Sequence, residues 1–245
     1  MSKTNKPIGI IAAMDIEVDF LLENMSDKAT QTISGMTFTR GNLAERDAVV
    51  AVCGIGKCAA AMCAQTMILR YEVDAIINTG VAGALCDKLD IYDIAVATSA
   101  VQHDVDTTAI GDPVGLISGI NLVNIPCCPD LAARVLACAK ELDITAHSGV
   151  IATGDMFVSD MDKRAHIRAT FDAIACEMEG GAIAQVCHVN RVKCTIIRSI
   201  SDKADGHSEE YSKFKHRAAE RSGRLVLRTL SLESEECRVQ GAEWS

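Results

Sequence analysis

Short apolar runs alternate with longer helical patterns along almost the whole chain, and few architectures accommodate that pattern. Runs at 7–13, 75–78, 94–100, 148–153, 173–176 and 194–200 have the length and near-continuous apolar character of strands covered on both faces. Residues 36–40 and 48–53 read as a strand pair with a turn at 45–47. Helical periodicity occupies 15–24, where Ile16, Phe20 and Leu21 share a face, and 56–71, 130–142, 161–170, 178–190 and 208–232. Residues 103–129 read as a long irregular segment. The alternation predicts an α/β fold, a three-layer α/β/α arrangement around a mixed, largely parallel central sheet. No Pro/Gly/Ser-rich linker, repeat or low-complexity stretch divides the chain. Residues 1–232 are therefore expected as a single domain, with 233–245 as a polar, acidic, frayed tail.

Composition removes several classes of function. Twenty-four basic against 33 acidic residues give a formal charge of −9, which argues against a nucleic-acid surface built from clustered Lys and Arg. The polar start leads into a short apolar run that Asp15 ends, so no secretory h-region is read. The longest uncharged stretch, 113–129, contains three prolines, two asparagines and a serine, a loop composition rather than a membrane span. Eleven cysteines, an odd number without framework spacing, fit reduced thiols and a cytoplasmic location.

One motif invites a dinucleotide reading. Gly54-Ile55-Gly56-Lys57-Cys58-Ala59 matches G-x-G-x-x-A between a strand and a helix. The fingerprint also requires an acidic residue at the end of the next strand to hold a ribose. Asp74 stands before that strand, at its wrong end, so a glycine turn lining some other ligand is preferred. Cys53, Cys58 and Cys63 are spaced by five, which is not ligand spacing. His103, Asp104 and Asp106 suit a hydrogen-bonded loop. No metal and no organic cofactor are expected.

Ligands of such sheets gather in loops beyond the carboxyl ends of the strands, and three acidic clusters fall there. They are Met14-Asp15-Ile16-Glu17, Glu177-Met178-Glu179 and Ser201-Asp202-Lys203-Ala204-Asp205. Taken singly, each is explained by helix capping or solvation. Together, at one end of one sheet, they suit a reaction that builds positive charge, such as glycosyl cleavage through an oxocarbenium-like transition state with one carboxyl group as acid and another handling water.

These residues, with Ile8 to Val18, Gly54-Ile-Gly-Lys57, Ile77-Asn-Thr-Gly-Val-Ala-Gly83, Gly154-Asp155-Met-Phe157 and Arg198-Ser-Ile-Ser-Asp202, resemble the 5'-methylthioadenosine/S-adenosylhomocysteine nucleosidases of the nucleoside phosphorylase-like superfamily. The resemblance covers most of 8–230 and implies that fold, adenine release by hydrolysis, and a place in methionine salvage. It implies Asp202 as the acid to adenine N7 and Glu17 as the group activating water, with Arg198 nearby. It gives Glu179 the ribose hydroxyls and lays Met178 against the sugar. Phe157 would stack on adenine, the Val158 backbone would read its edge, and Ser201 would support the Asp202 loop. Met14, Ile55 and Tyr211 would line the 5'-alkylthio pocket, which the loop near Ile110 of a partner in a homodimer would close. Val81 stands near the ribose where the family often has serine, and Gly180-Gly181 replaces more helical residues.

Three alternatives are weighed. A purine nucleoside phosphorylase needs arginines for phosphate after the first strand, where this chain offers Asp15 and Glu17, which repel phosphate. A nucleosidase for another 5'-modified nucleoside, futalosine-type included, is compatible with departures that fall near the 5' pocket. A non-catalytic nucleoside-binding module has no need of an acid–water pair.

Overall fold

The computed structural model describes residues 6–204 and 208–242. Strands β1 (Ile8–Ala12), β2 (Ser26–Ile33), β3 (Met36–Leu43) and β4 (Arg46–Val52) are accompanied by a 3-10 turn at Asp15–Glu17 and a short helix α1 (Asp19–Glu23). Helix α2 (Lys57–Tyr71) leads to β5 (Ala75–Ala84), β6 (Ile94–Gln102), the two-residue β7 (Ile125–Pro126) and α3 (Pro129–Glu141). Then follow β8 (Ala146–Thr153), α4 (Met161–Phe171), β9 (Ala173–Glu177), α5 (Gly180–Asn190), β10 (Lys193–Asp202) and α6 (Ser208–Ala242).

All strands join one mixed sheet in the order β2-β3-β4-β1-β5-β10-β6-β8-β9, with β7 beside β6. Parallel pairing runs through β4-β1-β5-β10 and through β6-β8-β9, and antiparallel pairing joins β10 to β6. β9 then returns to β5 through Gly83–Cys176 and Ala84–Ala175, closing five strands into a ring. This closure draws the carboxyl ends of β5, β9 and β10 together.

Both faces of the central strands are covered, which is why those strands lack polar alternation. Along β1, Ile8, Ile10 and Ala12 pack with Leu21, Val135 and Leu225 of α1, α3 and α6, while Ile11 packs with Cys63 and Met67 of α2. Along β4, Val49 and Ala51 face the α2–α5 layer and Ala48 and Val50 the other. Two helical layers therefore enclose the sheet, as the sequence pattern requires. Among the described residues no helix is long and apolar enough to cross a membrane.

Several sequence expectations are corrected. The helix expected at 15–24 is a 3-10 turn followed by α1, because the Glu17 side chain folds back on the amides of Ala13 and Met14. β2 was not expected; it is polar and exposed, and its pairing with β3 holds it in place. The hairpin turn is Ala44-Glu45, both in the left-handed region, and β4 already begins at Arg46. β5 runs six residues beyond Asn78, α5 starts at Gly180 rather than 178, and the irregular segment holds a 3-10 turn at Thr108–Ile110 and β7. α6 continues to Ala242, through most of the stretch expected as a frayed tail. Asp205 and residues 243–245 lie outside the described residues.

Candidate active site

The loops after β1 and β4 and the ends of β5, β9 and β10 surround a cavity of about 360 Å³. Glu17, Glu179 and Asp202 all line it, together with Met14, Ile55, Val81, Phe157, Met178, Ser201 and Tyr211. Arg198 lies behind the cavity, 2% exposed, and Val158, next to Phe157 in the sequence, is buried but does not line the cavity. Ile110 stands 81% exposed, outside the cavity. Glu177, a member of the second acidic cluster, also lines the wall, as do Ala13, Ala82, Gly83 and Cys176, to which the sequence assigns no role.

Glu17 is fixed by three main-chain donors. The amides of Ala13 and Met14 donate to Oε2 at 3.0 and 2.9 Å, and the Val81 amide donates to Oε1 at 3.0 Å. The contact with Val81 is made by the backbone, so a valine here leaves it intact. Burial raises the Glu17 pKa, and Arg198 and the three amides only partly oppose it. Gly80 is required by this packing: a Cβ there would lie 2.4 Å from Glu17 Oε1 and 3.3 Å from Arg198 Nη1.

Asp202 ends β10. Its Oδ1 accepts the Ala204 amide at 3.0 Å, and the Ser201 hydroxyl lies 2.9 Å from Oδ2. Ser201 thus supports Asp202 directly. Glu179 stands immediately before α5, and the Gly56 amide donates to its Oε1 at 2.8 Å. That bond gives the glycine turn its purpose: Gly56, at φ 100°, turns an amide toward a carboxylate contributed from the other side of the cavity. Asp74, the acid on which a dinucleotide site would depend, instead pairs with Arg46 at 3.2 Å. Burial and the neighbouring Glu177 charge raise the Glu179 pKa to about 7, against the pull of Arg198.

Phe157 and Tyr211 meet edge to face with centroids 5.4 Å apart, and the Tyr211 hydroxyl lies 3.4 Å from Met14 Sδ. They form one apolar wall opposite the carboxylates. Asp104 accepts the Lys57 ammonium at 2.6 Å and the Asp155 amide at 2.9 Å, and Asp106 accepts Thr108. These are the hydrogen-bonded loop contacts expected of that segment.

A larger groove of about 470 Å³ runs along α6. Three of its four arginines are already engaged, Arg217 over the Tyr92 ring, Arg224 with Glu220 and Arg228 with Glu141. It lacks the convergent carboxylates that a glycosyl cleavage site needs.

A family model of the phosphorylase superfamily matches residues 7–231. A 5'-methylthioadenosine/S-adenosylhomocysteine nucleosidase of Shewanella halifaxensis is 39% identical over 225 residues, covering 91% of this chain and 98% of the relative. The solved structure of the Helicobacter pylori nucleosidase of that name, complexed with a substituted pyrrolidin-3-ol, superposes with a TM-score of 0.89 at 34% identity, covering 92% of this chain and 98% of that one. Futalosine hydrolase of Helicobacter pylori superposes with a TM-score of 0.90 at 34% identity, covering 94% and 99%. By sequence and fold, the chain belongs to the 5'-methylthioadenosine/S-adenosylhomocysteine nucleosidase family of the phosphorylase superfamily.

Proposed function

We propose that the chain hydrolyses the N-glycosidic bond of 5'-methylthioadenosine and S-adenosylhomocysteine, releasing adenine and the 5-thioribose product. The observation that carries this reading is the convergence of Glu17, Glu179 and Asp202 on one cavity, with Glu17 held on three amides and Asp202 on the facing strand end.

Asp202 gives a proton to adenine N7, and the C1'–N9 bond breaks as N9 leaves with the bonding pair. The sugar carries positive charge at C1', which the carboxylates around it stabilise. A water attacks C1' and passes a proton to Glu17, whose raised pKa makes it the better base. Glu179 accepts the ribose hydroxyls, and Met178 lies against the sugar. Phe157, which lines the cavity, stacks on adenine. Met14, Ile55 and Tyr211 take the 5'-alkylthio group.

Adenine release in phosphate-free buffer tests the reaction. Turnover is expected to proceed at full rate without phosphate, and strict dependence on phosphate would make the protein a phosphorylase. A second reading, a nucleosidase for other 5'-modified nucleosides, is favoured by the likeness to futalosine hydrolase and by the 5' end of the cavity, where Ile55 is 61% exposed. A panel of 5'-substituted adenosines and futalosine-type nucleosides, with base release measured, ranks the two.

The working unit is a homodimer in which Ile110 of one copy closes the 5' pocket of the other. Exposed apolar side chains support this: Ile110, and on the packed pair α2 and α5, Leu69 at 71% and Val189 at 62%. In sedimentation velocity the protein is expected to run as a dimer. Ile110→Ser should raise KM for methylthioadenosine about tenfold with a smaller change in kcat, the effect of losing one buried apolar contact. A fully active monomer would contradict the dimeric site. Among the cysteines whose side chains are described, ten are free thiols and nine of these are at least partly buried. Burial pushes the Cys63 thiol up to about 12, so these groups act as small apolar packing residues, as a reducing cytoplasm allows.

A further inference from the structure

Glu177 has no part in the reaction as described, yet it is among the most heavily bonded carboxylates near the cavity. Its side chain is 2% exposed and lies between β10 and α5. Arg198 Nη2 and the Thr153 hydroxyl both donate to it at short range. The Glu179 amide donates to Oε2 at 3.0 Å, and the Gly180 amide reaches the two oxygens at 3.0 and 2.7 Å. Glu177 therefore sits on the positive end of α5 and on the buried guanidinium at once.

Gly180 and Gly181 belong to the same construction. A Cβ on Gly180 would lie 2.8 Å from Ile196 Cδ1 and 3.2 Å from Glu177 Oε1, and one on Gly181 would lie 2.9 Å from Thr153. The start of α5 can reach Glu177 and Thr153 only without side chains, so the two glycines serve the site rather than the helix.

Glu179 stands differently toward the same arginine. Its Oε2 is 3.8 Å from Arg198 Nη2, beyond hydrogen-bonding distance. The near side of Nη2 is filled by Glu177 and by Asn78 Oδ1 at 2.6 Å. Without Glu177, the opposite charge closest to Arg198 would be Glu179, and Coulomb attraction in a buried setting would draw them together.

We propose that Glu177 is a positioning residue of this site: it occupies Arg198 and the first amides of α5, and so holds Glu179 to a loose 3.8 Å ion pair with that arginine and leaves it turned to the ribose. The inference rests on the reading of Glu179 as the ribose carboxylate. The groups facing Glu179 are Glu177 on β9, Arg198 on β10, Glu17 after β1, Cys53 after β4, Tyr211 on α6 and the Gly56 amide. Burial raises the pKa of Cys53 and Tyr211, so both remain neutral through the working range. Of the carboxylates facing Glu179, Glu177 repels it most strongly. Removing it abolishes a repulsion and frees a counterion, and both changes lower the pH at which Glu179 ionises.

The test is kcat/KM for adenine release from methylthioadenosine between about pH 5 and 9 for the parent, Glu177→Gln, Glu177→Asp and Glu179→Gln. In the parent, activity should rise through about pH 7 as Glu179 ionises. In Glu177→Gln that rise should move down by about half a pH unit or more, and kcat/KM on the plateau should fall about tenfold, mostly in KM, as Glu179 turns toward Arg198. Glu177→Asp keeps the charge and should keep the rise in place. An unmoved rise in Glu177→Gln would overturn the positioning role. Full activity in Glu179→Gln would instead remove the ribose reading beneath it. Should Glu177→Gln fail to fold, carboxyl carbon NMR of glutamate-labelled parent protein decides. A resonance absent from Glu179→Gln and titrating near pH 7 is expected, and one titrating in the ordinary carboxylate range overturns the proposal.

Discussion

Asp202→Asn should lower kcat for methylthioadenosine about a thousandfold while KM changes only a few-fold. Asparagine keeps the shape of the side chain, an oxygen for the Ala204 amide and a partner for the Ser201 hydroxyl, so the loop after β10 should stay in place. It cannot release a proton. Adenine would then leave as an anion, and general acid catalysis of this kind contributes roughly 10²–10⁴ in rate. The loss should appear in kcat because the proton moves only as the C1'–N9 bond breaks, an interaction absent from the ground state. Single-turnover adenine release, with binding of a non-hydrolysable nucleoside measured in parallel, separates the two quantities. A variant that binds normally and turns over at near-parent rate would remove Asp202 from the acid role.

Asp202, Glu17 and Glu179 were legible in the sequence for a physical reason. Loops that leave the carboxyl ends of parallel strands converge, so acids placed just after three apolar strands meet in space. The strands themselves were legible because residues such as Ile10 and Ile11 are buried on opposite faces and both must be apolar. Failures occurred where pairing overrides local pattern. β2, with the sequence Ser-Asp-Lys-Ala-Thr-Gln-Thr-Ile, has no apolar alternation and is a strand because β3 supplies its ladder. The glycines of 79–84 signal a turn, yet β10 and β9 pair with that segment and hold it extended. Glu177 was seen as one of a cluster but given no task. Its partners Arg198 and Thr153 are each more than 20 residues away, and spacing says nothing about them. The one local signal was Gly180-Gly181, a pair of poor helix formers at a helix start, which marks a close approach of backbone to side chains.

Glu179→Gln should abolish most turnover and at the same time make the folded protein more stable at alkaline pH. In the unfolded chain this carboxyl ionises near 4.5, whereas in the folded protein burial and Glu177 hold it to about 7. Between those values the folded state binds more protons than the unfolded state, so this group's contribution to stability falls as pH rises. Above about pH 7 the full penalty remains, at most roughly 3 kcal/mol for a shift of this size. Glutamine carries no charge to desolvate, and its amide oxygen can still accept the Gly56 amide. Arg198 is not orphaned by the change, because Glu177 remains on it, so the usual destabilisation from breaking a buried ion pair does not apply. Thermal unfolding at about pH 8 should show the variant several degrees above the parent, on the scale of 2–4 °C per kcal/mol for a chain of this length. Toward pH 5 the difference should close as the parent's carboxyl takes up its proton. A variant less stable than the parent at every pH would mean that Glu179 is held as a structural ion and not as a carboxylate kept loosely paired for the substrate. Stability lost to a buried charge that is only loosely paired, and recovered when ribose hydroxyls bond to it, is the trade expected of a binding group.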